Sequence, residues 1–357
     1  MDINIRVKEK NTGMFMVGAG YSANEKAIIM GQIAQQNFLG YGQILSLKGS
    51  VGSQTQNYEL SFTEPWLLDL PLWSQVNIWN YKQFSDSYTL DSKGAGATLG
   101  YPIWERIRGF IGYNFTITDI RDIPFWANDY IKTAQGQRTA SAVTLSLARD
   151  TTDDNMFPTK GTNTGISVQH VGNPLGGDVK FTKYSAGTTA YYPLFWDMVV
   201  GAKGRIGFLQ NNDDSDILND NGSIQSSRLP MNERYVLGGI SSLRGLRYVG
   251  IAQKDVYGNE TNGTSNVLGG ISMLVFNFEL VFPFIKDAGM KGVLFYDAGN
   301  TWDGGYYIDD LRQTVGAGIR WYSPIGPLRL EYGYVINRKN LNDDSVGRWE
   351  FTIGMFM

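Results

Sequence analysis

Few residues in this 357-residue chain are equipped for covalent chemistry. It has one histidine, His170, and no cysteine. A thiolate nucleophile, a disulfide scaffold and a cysteine-ligated zinc or iron–sulfur centre are therefore excluded. His170 shares strand parity with Ile166 and Val168 near the end of a run. Without a supporting acid and nucleophile, it reads as a surface or interfacial residue rather than a hydrolytic base. The run Gly94-Ala95-Gly96-Ala97-Thr98-Leu99-Gly100 misses the G-x-G-x-x-G spacing, and no P-loop occurs. The acidic trio Asp213, Asp214 and Asp216 reads as a solvated loop rather than a cation site. Ion-pair chemistry remains. Glu279 and Asp297 have parity opposite to their apolar neighbours Phe278, Leu280, Leu294 and Tyr296. Arg312, Arg320, Arg329, Glu331 and Glu350 are further charges of the same kind, read as ordinary pairs along a wall. Arg244, in a long polar connection, carries a planar guanidinium that can grip carboxylates bidentately. The chain is expected not to be an enzyme and to use no cofactor or metal.

Period-two alternation supplies the elements that must position these charges. Ile107, Gly109, Ile111, Tyr113, Phe115 and Ile117 oppose Arg108, Phe110, Gly112, Asn114 and Thr116. Val315, Ala317, Ile319 and Trp321 oppose Thr314, Gly316, Gly318 and Arg320. This is strand periodicity, with one apolar face and one polar or small face. Sixteen such runs are expected, near 12–21, 27–37, 41–53, 55–64, 72–84, 88–101, 105–118, 137–149, 163–172, 178–192, 197–210, 267–282, 290–302, 311–322, 327–336 and 347–357. Many last about 9–14 residues, nearer the roughly 9–11 needed to cross a bilayer at a tilt than the 5–6 of an ordinary strand.

The connections alternate. One set is short and pairs proline with aromatics, as in Pro65-Trp66, Tyr101-Pro102, Tyr192-Pro193-Leu194-Phe195-Trp196 and Phe282-Pro283-Phe284. The other set is polar and often longer, including the loop 211–266. Short turns at one end, long loops at the other and an even strand count predict an all-β, transmembrane antiparallel barrel, its lumen polar and its outer face towards lipid. Aromatics at the short turns fit an interfacial girdle. Composition agrees: only 18% of residues are charged while mean hydropathy stays below zero, because alternation hides the apolar half from any window. A net charge of −3 argues against nucleic acid as a partner. Met1-Asp2-Ile3-Asn4 opens into a strand-like stretch without a secretory signal, so the sequence is expected to be cytosolic or a piece of a longer exported precursor.

Several stretches, in order along essentially the whole chain, resemble the BamA-type outer-membrane protein assembly factors. They are Arg149-Asp150 through Phe157-Pro158-Thr159-Lys160-Gly161; Tyr235-Val236-Leu237-Gly238-Gly239 into Ser242-Leu243-Arg244-Gly245-Leu246; Phe295-Tyr296-Asp297-Ala298-Gly299-Asn300-Thr301-Trp302; and Gly316 to Trp321 with Ser323 to Leu328. Asn37-Phe38-Leu39-Gly40 and Thr63-Glu64-Pro65-Trp66 add to the resemblance. Leu243 and Leu246 stand where the family usually has Val and Phe, and Met357 stands where it usually ends in an aromatic, with Phe356 of the opposite parity preceding it.

The resemblance implies that residues 1–11 are the end of a truncated periplasmic POTRA module or linker and that 12–357 form the barrel. It implies that the loop carrying Leu243, Arg244, Gly245 and Leu246 folds into the lumen, where Arg244 meets carboxylates on the wall; strand parity offers Glu279 and Asp297 as the candidates, without saying which of them pairs with it. The expected function is insertion of other β-barrels through a weak first-to-last-strand seam; the alternative is a passive pore or two-partner-type export channel. Glycine in a strand weakens pairing, which draws attention to Gly13, Gly18 and Gly20 at one edge and Gly354 at the other. Cysteines at Phe15 and Ile353 are expected to lock that seam. Implied partners are nascent outer-membrane barrel proteins, accessory lipoproteins acting through missing POTRA modules, the lipid bilayer and lipopolysaccharide. The implied location is the outer membrane of a Gram-negative bacterium, with both termini periplasmic.

Overall fold

The computed structural model describes residues 11–22, 26–85, 87–125, 127, 129–154, 157–213, 217–218, 224–225, 229–247, 251–252, 267–323, 326–338 and 346–353. Sixteen antiparallel strands close into one barrel. They are β1 (Gly13–Ser22), β2 (Lys26–Phe38), β3 (Gln43–Gly52), β4 (Thr55–Glu64), β5 (Trp73–Ser85), β6 (Tyr88–Trp104), β7 (Ile107–Arg121), β8 (Gly136–Asp150), β9 (Gly161–Val171), β10 (Phe181–Pro193), β11 (Val199–Asn211), β12 (Ser272–Ile285), β13 (Met290–Trp302), β14 (Arg312–Ser323), β15 (Gly326–Val335) and β16 (Gly347–Ile353). Every strand pairs with its sequence neighbour, and β16 returns to β1.

The pleat sorts the side chains as the alternation requires. Ile111, Tyr113 and Phe115 of β7, Leu145 and Leu147 of β8 and Phe276 and Phe278 of β12 face outward and exposed. Asn277, Asp297, Thr314, Glu331 and Glu350 face inward and are buried. An outward belt of this kind is stable only in lipid.

One boundary differs from the alternation by more than three residues among the described residues. The run expected from 267 becomes barrel strand only at Ser272, because Val267–Leu268 pairs with Ile251–Ala252 in a separate two-stranded sheet. The long connection therefore spans 212–271 rather than 211–266, and a second small sheet inside it pairs Ile217–Leu218 with Ile224–Gln225. Short turns lie at the end where β1 begins and β16 ends; the connections 122–135, 172–180 and 212–271 lie at the other. Residues 1–10 and 354–357, including Gly354, Phe356 and Met357, lie outside the described residues.

Candidate functional site: a loop arginine on the lumen wall and the closing seam

The long connection crosses the lumen on a series of anchors. Lys183 Nζ of β10 donates to Glu233 Oε2 at 3.0 Å and lies over the Tyr235 ring. Tyr235 and Gly270 exchange both backbone hydrogen bonds at 2.8 Å. Arg234, almost fully buried, donates to the Gly269 carbonyl at 3.0 Å and to Asp303 at 2.9 Å. Beyond Leu237 the chain makes a tight knot: Gly238 N–H donates to Ser242 Oγ at 2.7 Å, and Gly239 N–H to the Leu246 carbonyl at 2.7 Å. Leu237, Leu243 and Leu246 pack against Val275 and Val335 of the wall. Leucine supplies the apolar contact at both positions flanking the Arg-Gly pair.

The knot delivers Arg244, 2% exposed, onto three carboxylates. Nε and Nη2 grip Asp297 at 2.8 and 2.6 Å, and the Arg244 backbone N–H adds a third bond at 3.1 Å. Nη1 donates to Glu279 and, at 2.9 Å, to Glu331. The guanidinium carbon lies 3.6 Å from the centre of the Phe295 ring, a cation–π arrangement. Glu279 and Glu331 are shared with Arg320, at 2.7 and 2.8 Å, and Arg329 also donates to Glu331 at 3.1 Å. Three guanidiniums thus face three carboxylates. Asn277 closes the cluster, donating to Asp297 at 2.8 Å and to the Ser242 carbonyl at 2.6 Å.

Sequence reasoning named Glu279 and Asp297 but left Glu331, Arg320 and Arg329 as ordinary wall pairs; it turned Asn277 inward without giving it a partner, and it missed the role of Phe295. Phe295 carried a signal: it shares the inward parity of Asp297. Gly333 was missed as well. A Cβ there would stand 2.6 Å from the Arg244 carbonyl group and the Gly245 nitrogen, and a Cβ at Gly245 would stand 2.6 Å from the Gly333 oxygen. Gly245 also sits at φ +89°, where L side chains are strained. Gly245→Ala is expected to destabilise the folded barrel by about 1–3 kcal/mol, read as a lower urea midpoint in vesicles. An unchanged midpoint would show that the loop does not rest backbone-to-backbone on β15.

Other motif residues hold turns. Asp153 accepts the Thr159 hydroxyl at 2.6 Å and the Lys160 and Thr159 N–H groups at 3.0 and 2.8 Å, which hold its carboxyl well below the usual range. Asn300 and Trp302 both donate to Asp310 Oδ2 at 2.9 Å. The His170 ring nitrogens meet Thr182 Oγ1 at 3.0 Å and the Asn173 carbonyl at 2.8 Å. Asp213 lies 3.5 Å from Lys180; Asp214 and Asp216 fall outside the described residues.

The Omp85 superfamily domain model matches residues 37–357. The chain belongs to the Omp85 superfamily. Its superfamily relatives include the outer membrane protein assembly factor BamA of Nitratidesulfovibrio vulgaris, 29% identical over 359 residues, covering 100% of this chain and 43% of that protein. The BamA of Neisseria meningitidis serogroup B is 25% identical over 403 residues, covering 99% of this chain and 48% of that protein. The chain therefore spans about half the length of these relatives. The crystal structure of BamA from Haemophilus ducreyi lacking POTRA domains 1–3 shares the fold, with a TM-score of 0.82 at 24% identity over 97% of this chain and 70% of that one. Superfamily membership and the apolar outer belt make this an outer-membrane β-barrel.

The closing seam of this Omp85 barrel is short. β1 pairs with β2 through ten positions but with β16 through two, Tyr21↔Ile353 and Ser22↔Thr352, among the described residues. Gly13, Gly18 and Gly20 are registered on β2 against Gln35, Met30 and Ile28. Phe15 pairs with Ile33 and is 71% exposed. The register corrects one expectation: Ile353 lies opposite Tyr21, not Phe15. The six residue steps from Tyr21 place Phe15 about 20 Å further along the strand.

Proposed function

We propose that this chain is the membrane-embedded barrel of an assembly factor that folds other outer-membrane β-barrels and inserts them through the β1–β16 seam. The observation that carries the reading is that, among the described residues, β1 meets β16 at two positions while it meets β2 at ten. When the seam opens, β1 and β16 present unpaired edges, which can template an incoming strand by β-augmentation without an energy source. The Arg244 knot holds the β12–β15 wall in one arrangement while the other edge moves. In this reading residues 1–11 end a periplasmic POTRA module or linker and both termini are periplasmic. Accessory lipoproteins act through modules outside this chain, and lipopolysaccharide and phospholipid surround it.

Depletion of the full-length parent tests this. General loss of outer-membrane barrel proteins is the expected outcome. Loss of a single secreted protein, with the other barrels intact, would instead identify an export channel.

A further inference from the structure

Glu350 sits on the closing strand β16 and is 1% exposed. The wall does not account for it. Directly opposite in the β15–β16 ladder stands Glu331, another buried carboxylate, and like charges facing each other across strands are destabilising. The guanidiniums of Arg244, Arg320 and Arg329 all donate to Glu331. The ion pair that Glu350 makes runs along its own strand to Arg348, whose Nε stands 3.7 Å away, beyond hydrogen-bond reach. The lumen loop supplies what the wall does not: the Gly245 backbone N–H donates to the Glu350 carboxylate. Gly245 follows Arg244 in the knot, and its backbone lies against Gly333 of β15. Gly333 is registered opposite Arg348, two residues from Glu350. The knot therefore lands across β15 and β16 and touches both.

We infer that Glu350 is a positioning residue for the seam: its carboxylate latches the closing strand to the lumen loop through Gly245 and holds β16 at the level where Thr352 and Ile353 meet Ser22 and Tyr21. The inference rests on the seam being the working edge of the barrel, as proposed above, and it adds the group that governs closure. A bond from a backbone N–H to a carboxylate is stronger than a neutral one, and breaking it leaves a buried donor and a buried acceptor both unmade. Among the described residues β16 pairs with β15 at seven positions and with β1 at two, so a further bond from the lumen side is a sizeable share of what fixes its height. Arg244 ties the same loop to β12, β13 and β15 through Glu279, Asp297 and Glu331. Glu350 extends that grip to the strand that closes the circle, so a change in the loop reaches the seam.

Two substitutions separate the bond from the charge. Glu350→Asp keeps the charge and withdraws the acceptor by one methylene. Glu350→Gln keeps the reach and an acceptor oxygen and drops the charge. Each is combined with Tyr21→Cys and Ile353→Cys in this chain, which has no cysteine of its own, and refolded into phosphatidylcholine vesicles. The rate of disulfide formation under a fixed oxidant is measured beside the urea midpoint of the reduced protein. A latch expects closure several-fold slower with Asp at 350, and as fast as with Glu, or faster, with Gln. Unslowed closure in the Asp variant, even with a lowered urea midpoint, would overturn the inference by leaving Glu350 a role in wall stability alone. Slowing by Gln equal to that by Asp would also overturn it, by assigning the effect to charge rather than to the loop bond. The disulfide rate reports the seam and not assembly, so failure here is distinct from failure of the depletion test.

Discussion

Arg244→Ala is expected to cost about 3–5 kcal/mol of barrel stability, because it strands buried carboxylates that lose their partner. Asp297 is 0% exposed, and in the variant it keeps, among the described residues, only Asn277 and the backbone N–H of residue 244 as donors and loses the guanidinium charge. Glu279 and Glu331 keep Arg320 but lose a donor each. The backbone consequence adds to this, since the knot from Gly238 to Leu246 is tied to the wall through the same side chain. The measurement is the temperature at which the folded band disappears in a heat-modifiability gel, together with the urea midpoint in vesicles. Arg244→Lys should recover little, because a point ammonium cannot span Asp297 bidentately while also reaching Glu279 and Glu331. A combined Arg244→Ala, Asp297→Asn variant should be less destabilised than the sum of its parts, since the two residues share one interaction. Wild-type melting of Arg244→Ala would refute the role assigned to the cluster.

Joining the seam covalently is expected to abolish assembly. Tyr21 and Ile353 are directly paired. Opposed residues in an antiparallel ladder have Cα atoms about 4.5–5.5 Å apart, inside the range a disulfide spans. Because this chain has no cysteine of its own, Tyr21→Cys with Ile353→Cys can form only that one bond within it. In the full-length parent the oxidised pair should leave other outer-membrane barrels at the level of a depleted strain, and reduction should restore them. Phe15→Cys with Ile353→Cys should form no intramolecular bond in the closed barrel and serves as the matched control. Normal assembly with the Tyr21–Ile353 bond intact would remove the gate from the mechanism while leaving the barrel and its loop unaffected.

Strand number and face were legible in the sequence because each is local, whereas connection length sorts the two ends only in part: 53–54, at the long-loop end, is shorter than 65–72 and 151–160 at the other. The pleat makes parity a property of adjacent residues, so Asn277, Glu279 and Asp297 could be turned inward from their neighbours alone. The largest error in a strand start, 267 instead of 272, arose where an apolar pair found a partner inside the loop rather than in the wall. The Arg244 loop could be placed in the lumen only through family resemblance, since nothing local distinguishes it from a solvated arginine. What the sequence by itself determined is therefore a sixteen-stranded barrel with a polar lumen and an apolar coat. Only the tertiary structure decided the rest. Glu331 joined Arg244 because β15 lies two strands from β13 around the wall, a distance the chain does not encode locally. Gly333 became essential because a loop backbone lands on it. The seam register was hidden because β1 and β16 stand at opposite ends of the chain, and their pairing follows from closing the whole circle of strands.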